Sequence, residues 1–228
     1  MAKKSLKTLR QAQGFYPERG RRIKKGIFIT FEGPEGCGKS TQAKLLYDYL
    51  KDLGYKCVLT REPGGTKAGE EIRQMLLHAK DIEISDLTEL FLFEASRAQI
   101  AGEVITPELK DRKIVICDRF SDATLCYQGY GGKLPLETIG ALNKISSRGL
   151  KPDITILLDL NVVTGLKRAR IKGLDRMEKK DLDYHKRVRA GYLKLAANDP
   201  GRIKVISVRD TIGRTQGLVR QEVARVVR

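Results

Sequence analysis

Residues Gly33 to Ser40 read GPEGCGKS, which is a G-x-x-x-x-G-K-[ST] phosphate loop. An apolar run, Gly26-Ile27-Phe28-Ile29-Thr30-Phe31, leads into it. A helical pattern, Thr41-Gln42-Ala43-Lys44-Leu45-Leu46, leads out. Strand, glycine-rich turn and helix in that order distinguish a phosphate cradle from a chance match in a flexible turn. The three glycines allow backbone N–H groups to turn inward, and those donors act with the helix N-terminus on phosphate oxygens. Lys39 is placed to neutralise β- and γ-phosphate charge, and the Ser40 hydroxyl to ligate Mg²⁺.

Beyond the loop, short apolar runs alternate with helical patterns. Lys56–Thr60, Ile114–Cys117, Ile154–Leu158 and Ile203–Ser207 read as further strands. Helices are expected from the loop to about Leu53, over about Ala68–His78, from Asp86 onward, and over about 135–148, 162–171, 181–198 and 214–227. Gly54 stops the first of them, and Asp86-x-x-Glu89 resembles a capping box. Thr106-Pro107-Glu108 opens a new helix or kinks the old one. This alternation predicts an α/β fold: a five-stranded parallel sheet with helices on both faces, of the P-loop NTPase type. In such sheets ligands gather beyond the carboxyl ends of the strands.

The chain has 228 residues, 41% of them apolar, enough for one globular domain with a real core. No apolar stretch approaches the ~18 residues of a membrane span, and the N-terminus carries no secretory h-region. The four cysteines lack C-x-x-C spacing and read as reduced thiols of a cytoplasmic protein. The net charge of +16 raises a nucleic-acid reading, but half of it sits in residues 1–25, which hold nine Lys or Arg and the single acid Glu18. Residues 1–25 are therefore expected to be a basic, flexible extension capable of weak polyanion binding. It also resembles a transit peptide weakly, being basic and poor in acids. No aromatic-studded strand platform or DNA-reading motif accompanies the charge, so no specific nucleic-acid partner is expected. Residues 26–228 form the expected domain.

The strand ends carry the next clues. Asp118-Arg119 follows Ile114–Cys117, where an acid positions Mg²⁺ and an arginine reaches a phosphate; a capping Asp beside a surface Arg fits equally well. Arg61-Glu62-Pro63-Gly64-Gly65-Thr66 follows the second strand, as a tight connection or as part of a second substrate site. Phe93 and Arg97 lie four apart on one helix face. They suit stacking on a base and bonding its polar edge, or ordinary core packing.

Taken together, these segments resemble the thymidylate kinase family. The resemblance rests on Phe31–Gln42, Thr60–Thr66, Glu70-Glu71-Ile72-Arg73, Phe91–Arg97, Asp118–Gly129, Asp175-Arg176 and Arg187–Tyr192. It runs from about residue 26 to 228. It implies transfer of the ATP γ-phosphoryl group to dTMP, giving dTDP, with Mg²⁺ as cofactor, in a homodimer. ATP would bind Gly33, Pro34, Glu35, Gly36, Cys37, Gly38, Lys39, Ser40 and Thr41. Phe93 would stack on thymine, and Arg97 would contact its exocyclic oxygen. Thr124 and Gln128 would lie near the base, with Tyr127 beneath the deoxyribose. Arg73 and Arg119 would grip the acceptor phosphate. Glu35 would approach the sugar and help arrange the metal. Glu62 would sit near metal and acceptor, completing a metal set with Ser40 and Asp118.

The family resemblance also makes the basic cluster at 167–189 a lid over ATP, centred on about 165–185. With Gly at position 36, the chain resembles the class whose lid supplies the catalytic arginine, and Arg168, Arg170 and Arg176 are the candidates beside Lys39, Glu35 and Arg119. Two departures stand out: Gly132-Lys133 where an arginine is frequent, and Ala123 where serine is common. A kinase for another nucleotide, and a nucleic-acid-dependent P-loop protein without kinase activity, are the alternatives a panel of monophosphates separates.

Overall fold

The computed structural model describes residues 23–78, 82–171 and 175–227. Five strands, β1 (Ile27–Glu32), β2 (Cys57–Arg61), β3 (Ile114–Asp118), β4 (Ile154–Asp159) and β5 (Ile203–Ser207), form one sheet in the order β2-β3-β1-β4-β5. Every pairing is parallel. The expected α/β class and strand set are found.

Alternation along β1 explains the two layers. Ile27, Ile29 and Phe31 face one side, where Ala43, Leu46 and Leu50 of α1 (Lys39–Asp52) meet Val219 and Val223 of α9 (Ile212–Val223). Phe28 faces the other side with Val115, Cys117 and Phe120. Its ring meets Phe120 edge-on at 4.9 Å, an arrangement worth about 0.5–1.5 kcal/mol beyond area burial. Also in this second layer are α2 (Lys67–His78), α3 (Asp86–Ile100) and α8 (Leu182–Asn198). A buried polar seam crosses it. Thr30 Oγ1 and Thr155 Oγ1 are 2.8 Å apart, and Arg202 bonds Thr155 and, at 2.6 Å, Asp122.

Two local expectations change. The ordered core begins before residue 26: Ile23, 8% exposed, packs into it, and Lys25 pairs with Asp153 at 2.7 Å. The rest of the extension, 1–22, lies outside the described residues. At α3 the N-cap is Ser85, whose Oγ accepts from the Thr88 N–H; Glu89 turns inward instead of closing a box. At Thr106-Pro107 a new short helix, α4 (Thr106–Lys110), opens as expected with the proline in its first turn, and a π-helical turn, Ala101–Ile105, joins it to α3.

Strand order decides where a ligand goes. Sequence order reverses direction at β1, between β3 and β4, which opens a crevice at the carboxyl ends. Into it run the loop after β1, Arg61-Glu62 after β2 and Asp118-Arg119 after β3. Among the described residues no helix is long and apolar enough to cross a membrane.

Candidate active site

A cleft of about 1320 Å³ occupies this crevice. That exceeds the roughly 300–1,000 Å³ of a site for one small ligand, so two nucleotides fit. Its lining runs from Glu35 to Thr41 at one end to Phe93, Thr124 and Gln128 at the other, with Glu62, Arg73, Asp118, Arg119, Tyr127 and Arg168 between.

The phosphate end is an uncapped helix start. Gly38 precedes α1 at φ 93°, and no side chain caps the first turn, leaving its N–H groups for an anion. Lys39 Nζ donates to the Gly33 and Pro34 carbonyls at 3.1 and 2.9 Å, which holds the ammonium inside the loop. Gly36 has φ 64°, and a Cβ there would stand 2.0 Å from the Gly165 carbonyl oxygen of α7 (Val162–Arg170). A Cβ on Gly165 would stand 2.2 Å from the Glu35 carbonyl oxygen. Loop and α7 thus touch backbone to backbone.

Arg119 centres the middle of the cleft. It adopts φ 70°, a left-handed conformation costing roughly 1–3 kcal/mol for a residue with a Cβ, and such strain collects at functional sites. Its Nη2 donates to Glu35 Oε1 at 2.8 Å and to the Tyr127 hydroxyl at 2.9 Å, and Tyr127 donates to Glu35 at 2.5 Å. Burial pushes the Glu35 carboxyl up, but Arg119, Lys39 and the Tyr127 hydrogen bond outweigh it and bring it down to about 2. Glu35 is therefore a fixed anion and not a proton carrier. Arg73 Nη1 donates to the Pro63 carbonyl at 2.8 Å, across the cis Glu62–Pro63 bond. Burial, then neighbouring Arg61, lowers its pKa; an anionic ligand would relieve both.

Glu32, 0% exposed at the end of β1, lies just behind this group. It accepts from the Phe120 N–H at 2.7 Å and from the Tyr192 hydroxyl at 2.7 Å. Burial, with Asp122 nearby, pushes its carboxyl from 4.5 up to about 8. The folded state thus binds a proton that the unfolded chain releases near pH 4.5. The associated stability is fully present below that pH and is lost as pH rises through about 8. Glu32→Gln removes the titration. The expected result is that the Tm of the unaltered chain falls relative to the variant between these two pH values, by thermal melts across pH; parallel curves would contradict it.

The metal set converges in part as expected. Ser40 Oγ bonds Asp118 Oδ2. Asp118 Oδ1 and Glu62 Oε1 are both buried without a hydrogen-bond partner, a costly state unless something else takes their lone pairs. Among the described residues no group of three or more His, Cys, Asp or Glu forms a cage. Mg²⁺ in phosphoryl-transfer sites needs only one or two carboxylates, with waters and substrate phosphates completing its shell. The donor set fits it.

Arg97 behaves differently from expectation. It is 1% exposed and does not line the cleft. Nε donates to Glu62 at 2.9 Å, Nη1 to Asn143 at 2.7 Å and Thr124 at 3.2 Å, and Nη2 to the Phe120 carbonyl at 3.3 Å. Glu62 and Glu94 lie at 2.8 and 3.0 Å from Nη2 and Nη1. Four of its five N–H donors make hydrogen bonds within the protein, and the guanidinium lies between two buried carboxylates. The three candidate arginines Arg168, Arg170 and Arg176 also separate. Arg168 lines the cleft, and Arg170 is exposed outside it. Arg176 is turned away: its Nε donates to the Leu76 carbonyl at 2.7 Å and its Nη2 meets Glu89 at 2.6 Å. Lys172 and Gly173, between these arginines, lie outside the described residues.

The thymidylate kinase family profile matches residues 31–218. The chain belongs to the thymidylate kinase family. Among its relatives, thymidylate kinase of Geotalea daltonii is 51% identical over 189 residues, covering 79% of this chain and 88% of that protein. Thymidylate kinase of Dehalococcoides mccartyi is 52% identical over 176 residues, covering 77% and 85%. The crystal structure of thymidylate kinase from Ehrlichia chaffeensis superposes with a TM-score of 0.70 at 36% identity, covering 90% of this chain and 99% of that one. Family membership also makes the fold a P-loop NTPase. Four buried polar residues in the hydrogen-bond networks around the cleft, Glu32, Glu89, Glu94 and Asn143, are not marked as site residues by the sequence. Their only signal is an acid or amide on the apolar face of an element.

Proposed function

We infer that this chain transfers the γ-phosphoryl group of ATP to dTMP, giving ADP and dTDP. It is a kinase, and this is the reaction of its family. The observation that supports it most is one cleft containing both a phosphate loop and, farther along, an arginine pair and an aromatic slot. An oxygen of the acceptor phosphate attacks the γ-phosphorus as the bond to the ADP oxygen breaks. That oxygen is already anionic, so no strong general base is needed. The work is positioning two anions and neutralising them.

In this reading the loop N–H groups and the start of α1 hold the ATP phosphates. Lys39 leaves the loop carbonyls for the γ-phosphate. Arg119 and Arg73 hold the acceptor phosphate, and Glu35 fixes Arg119 and Tyr127. Phe93 stacks on the base, with Thr124 and Gln128 along its edge. Ser40, Asp118 and Glu62 would hold Mg²⁺, which supplies charge neutralisation at the phosphate oxygens. Arg168 is the lid cation placed to meet the transferring group, being the one of the three candidates in the cleft lining. Arg97 serves by holding Glu62 and Thr124 in place.

Leu87 and Phe91 of α3, each about half exposed, with Met75 on α2, give an outward apolar face. It supports a homodimer. A coupled ADP-release assay over a panel of nucleoside monophosphates tests the function. Fastest turnover is expected with dTMP and Mg²⁺; ATP left intact under those conditions would refute it.

A further inference from the structure

Glu89 is a buried junction between the base slot and the lid. It lies one helical turn before Phe93 on α3 and is 2% exposed. Gln128 Nε2 donates to its Oε1 at 2.8 Å. Arg176 Nη2 stands 2.6 Å, and Lys180 Nζ 3.8 Å, from its Oε2. Arg176 is in turn tied to the α2 terminus through the Leu76 carbonyl. Gln128 lines the cleft.

A carboxamide has two nearly isosteric ends, one a donor and one an acceptor. Left free, Gln128 offers either to a ligand. A carboxylate only accepts, and the other oxygen of Glu89, Oε2, faces the two cations Arg176 and Lys180. The NH₂ end of Gln128 is therefore pinned toward α3. Among the described residues nothing takes up Oε1, so the amide meets a ligand as an acceptor.

We propose that Glu89 is a positioning residue that sets the amide polarity of Gln128 and thereby selects acceptor bases carrying an imide N–H. The proposal rests on the dTMP kinase reading. Thymine and uracil have an N–H at ring position 3 flanked by carbonyls, and it donates to Gln128 Oε1. Cytosine has a lone pair there, which opposes another lone pair. A ring N-methyl group removes the donor and adds bulk.

The test compares kcat/KM for dTMP and dCMP in the unaltered chain, Glu89→Gln and Arg176→Met. In Glu89→Gln the amide at 128 is free to turn over. The dTMP-to-dCMP ratio is expected to fall by at least ~10-fold, chiefly through a higher KM for dTMP. Arg176→Met breaks the ion pair but keeps the carboxylate on Gln128, so the base preference is expected to persist whatever its turnover. If Glu89→Gln keeps the full preference, or if Arg176→Met loses it as completely, the proposal falls. The unaltered chain gives a further check that needs no variant to fold: competition binding of 3-methylthymidine monophosphate, expected to be weaker than dTMP by ~10-fold or more. Equal binding overturns the proposal. Absence of any dTMP turnover in the unaltered chain would sink the underlying kinase reading as well, whereas turnover with an unaltered preference in Glu89→Gln sinks this inference alone.

Discussion

Replacing Lys39 with alanine is expected to reduce single-turnover phosphoryl transfer by roughly 10²–10³-fold or more, the effect of removing one preorganised charge from a transition state. The ammonium sits 2.9 Å from the Pro34 carbonyl and 3.1 Å from that of Gly33. Its contacts in the described structure are thus to the loop that holds it, which keeps it at the cleft until phosphate oxygens displace those carbonyls. Arginine at 39 is expected to fail as well, because a planar fork cannot replace a compact point charge inside the loop. The measurement is rapid quench with ATP, Mg²⁺ and dTMP, alongside a thermal melt to show that the variant is folded. Unchanged turnover in a folded Lys39→Ala chain would remove the phosphate loop from the mechanism.

Replacing Arg97 with alanine is expected to act first on stability. Glu62 and Glu94 are both buried, and Arg97 is the cation between them. Burial already pushes Glu62 up to about 7 against the pull of Arg97. Without the guanidinium, two carboxylates lose their cation and the Asn143 oxygen loses one of its two donors. Breaking a buried ion pair from one side costs about 3–5 kcal/mol. At about 2–4 °C per kcal/mol for a chain of this size, Tm should drop by roughly 6–20 °C. Calorimetry beside dTMP titration separates the two accounts of this residue. A large loss of dTMP affinity with an unmoved Tm would mean that Arg97 touches the base and that the network around it carries little.

These two residues also show what a sequence discloses. Lys39 and Ser40 were legible because their spacing to glycine is local, set within eight residues between a strand and a helix. Asp118 and Arg119 were legible because strand ends in a parallel sheet open on one side. The strands themselves follow from unbroken apolar runs, which only a two-faced burial explains. Arg97 stands out in the sequence as a base contact or a core residue, but the buried network that holds it, and the parts played by Glu94 and Glu89, were not legible. Their partners come from far along the chain: Asn143 lies 46 residues from Arg97, and Leu76 lies 100 residues from Arg176. Arg176 reads as a catalytic candidate in a run of cations, whereas in the fold it is held by Glu89 and the Leu76 carbonyl. Glu89 matched a capping pattern, since only the fold reveals that Ser85 already does that work.

The seam between Gly36 and Gly165 has a consequence for how enzymes of this kind diverge. A side chain at either position collides with main chain of the other segment, at 2.0 or 2.2 Å, and main chain cannot swing aside as a rotamer can. Any residue larger than glycine at position 36, a cation included, therefore demands a displaced α7 at the same moment.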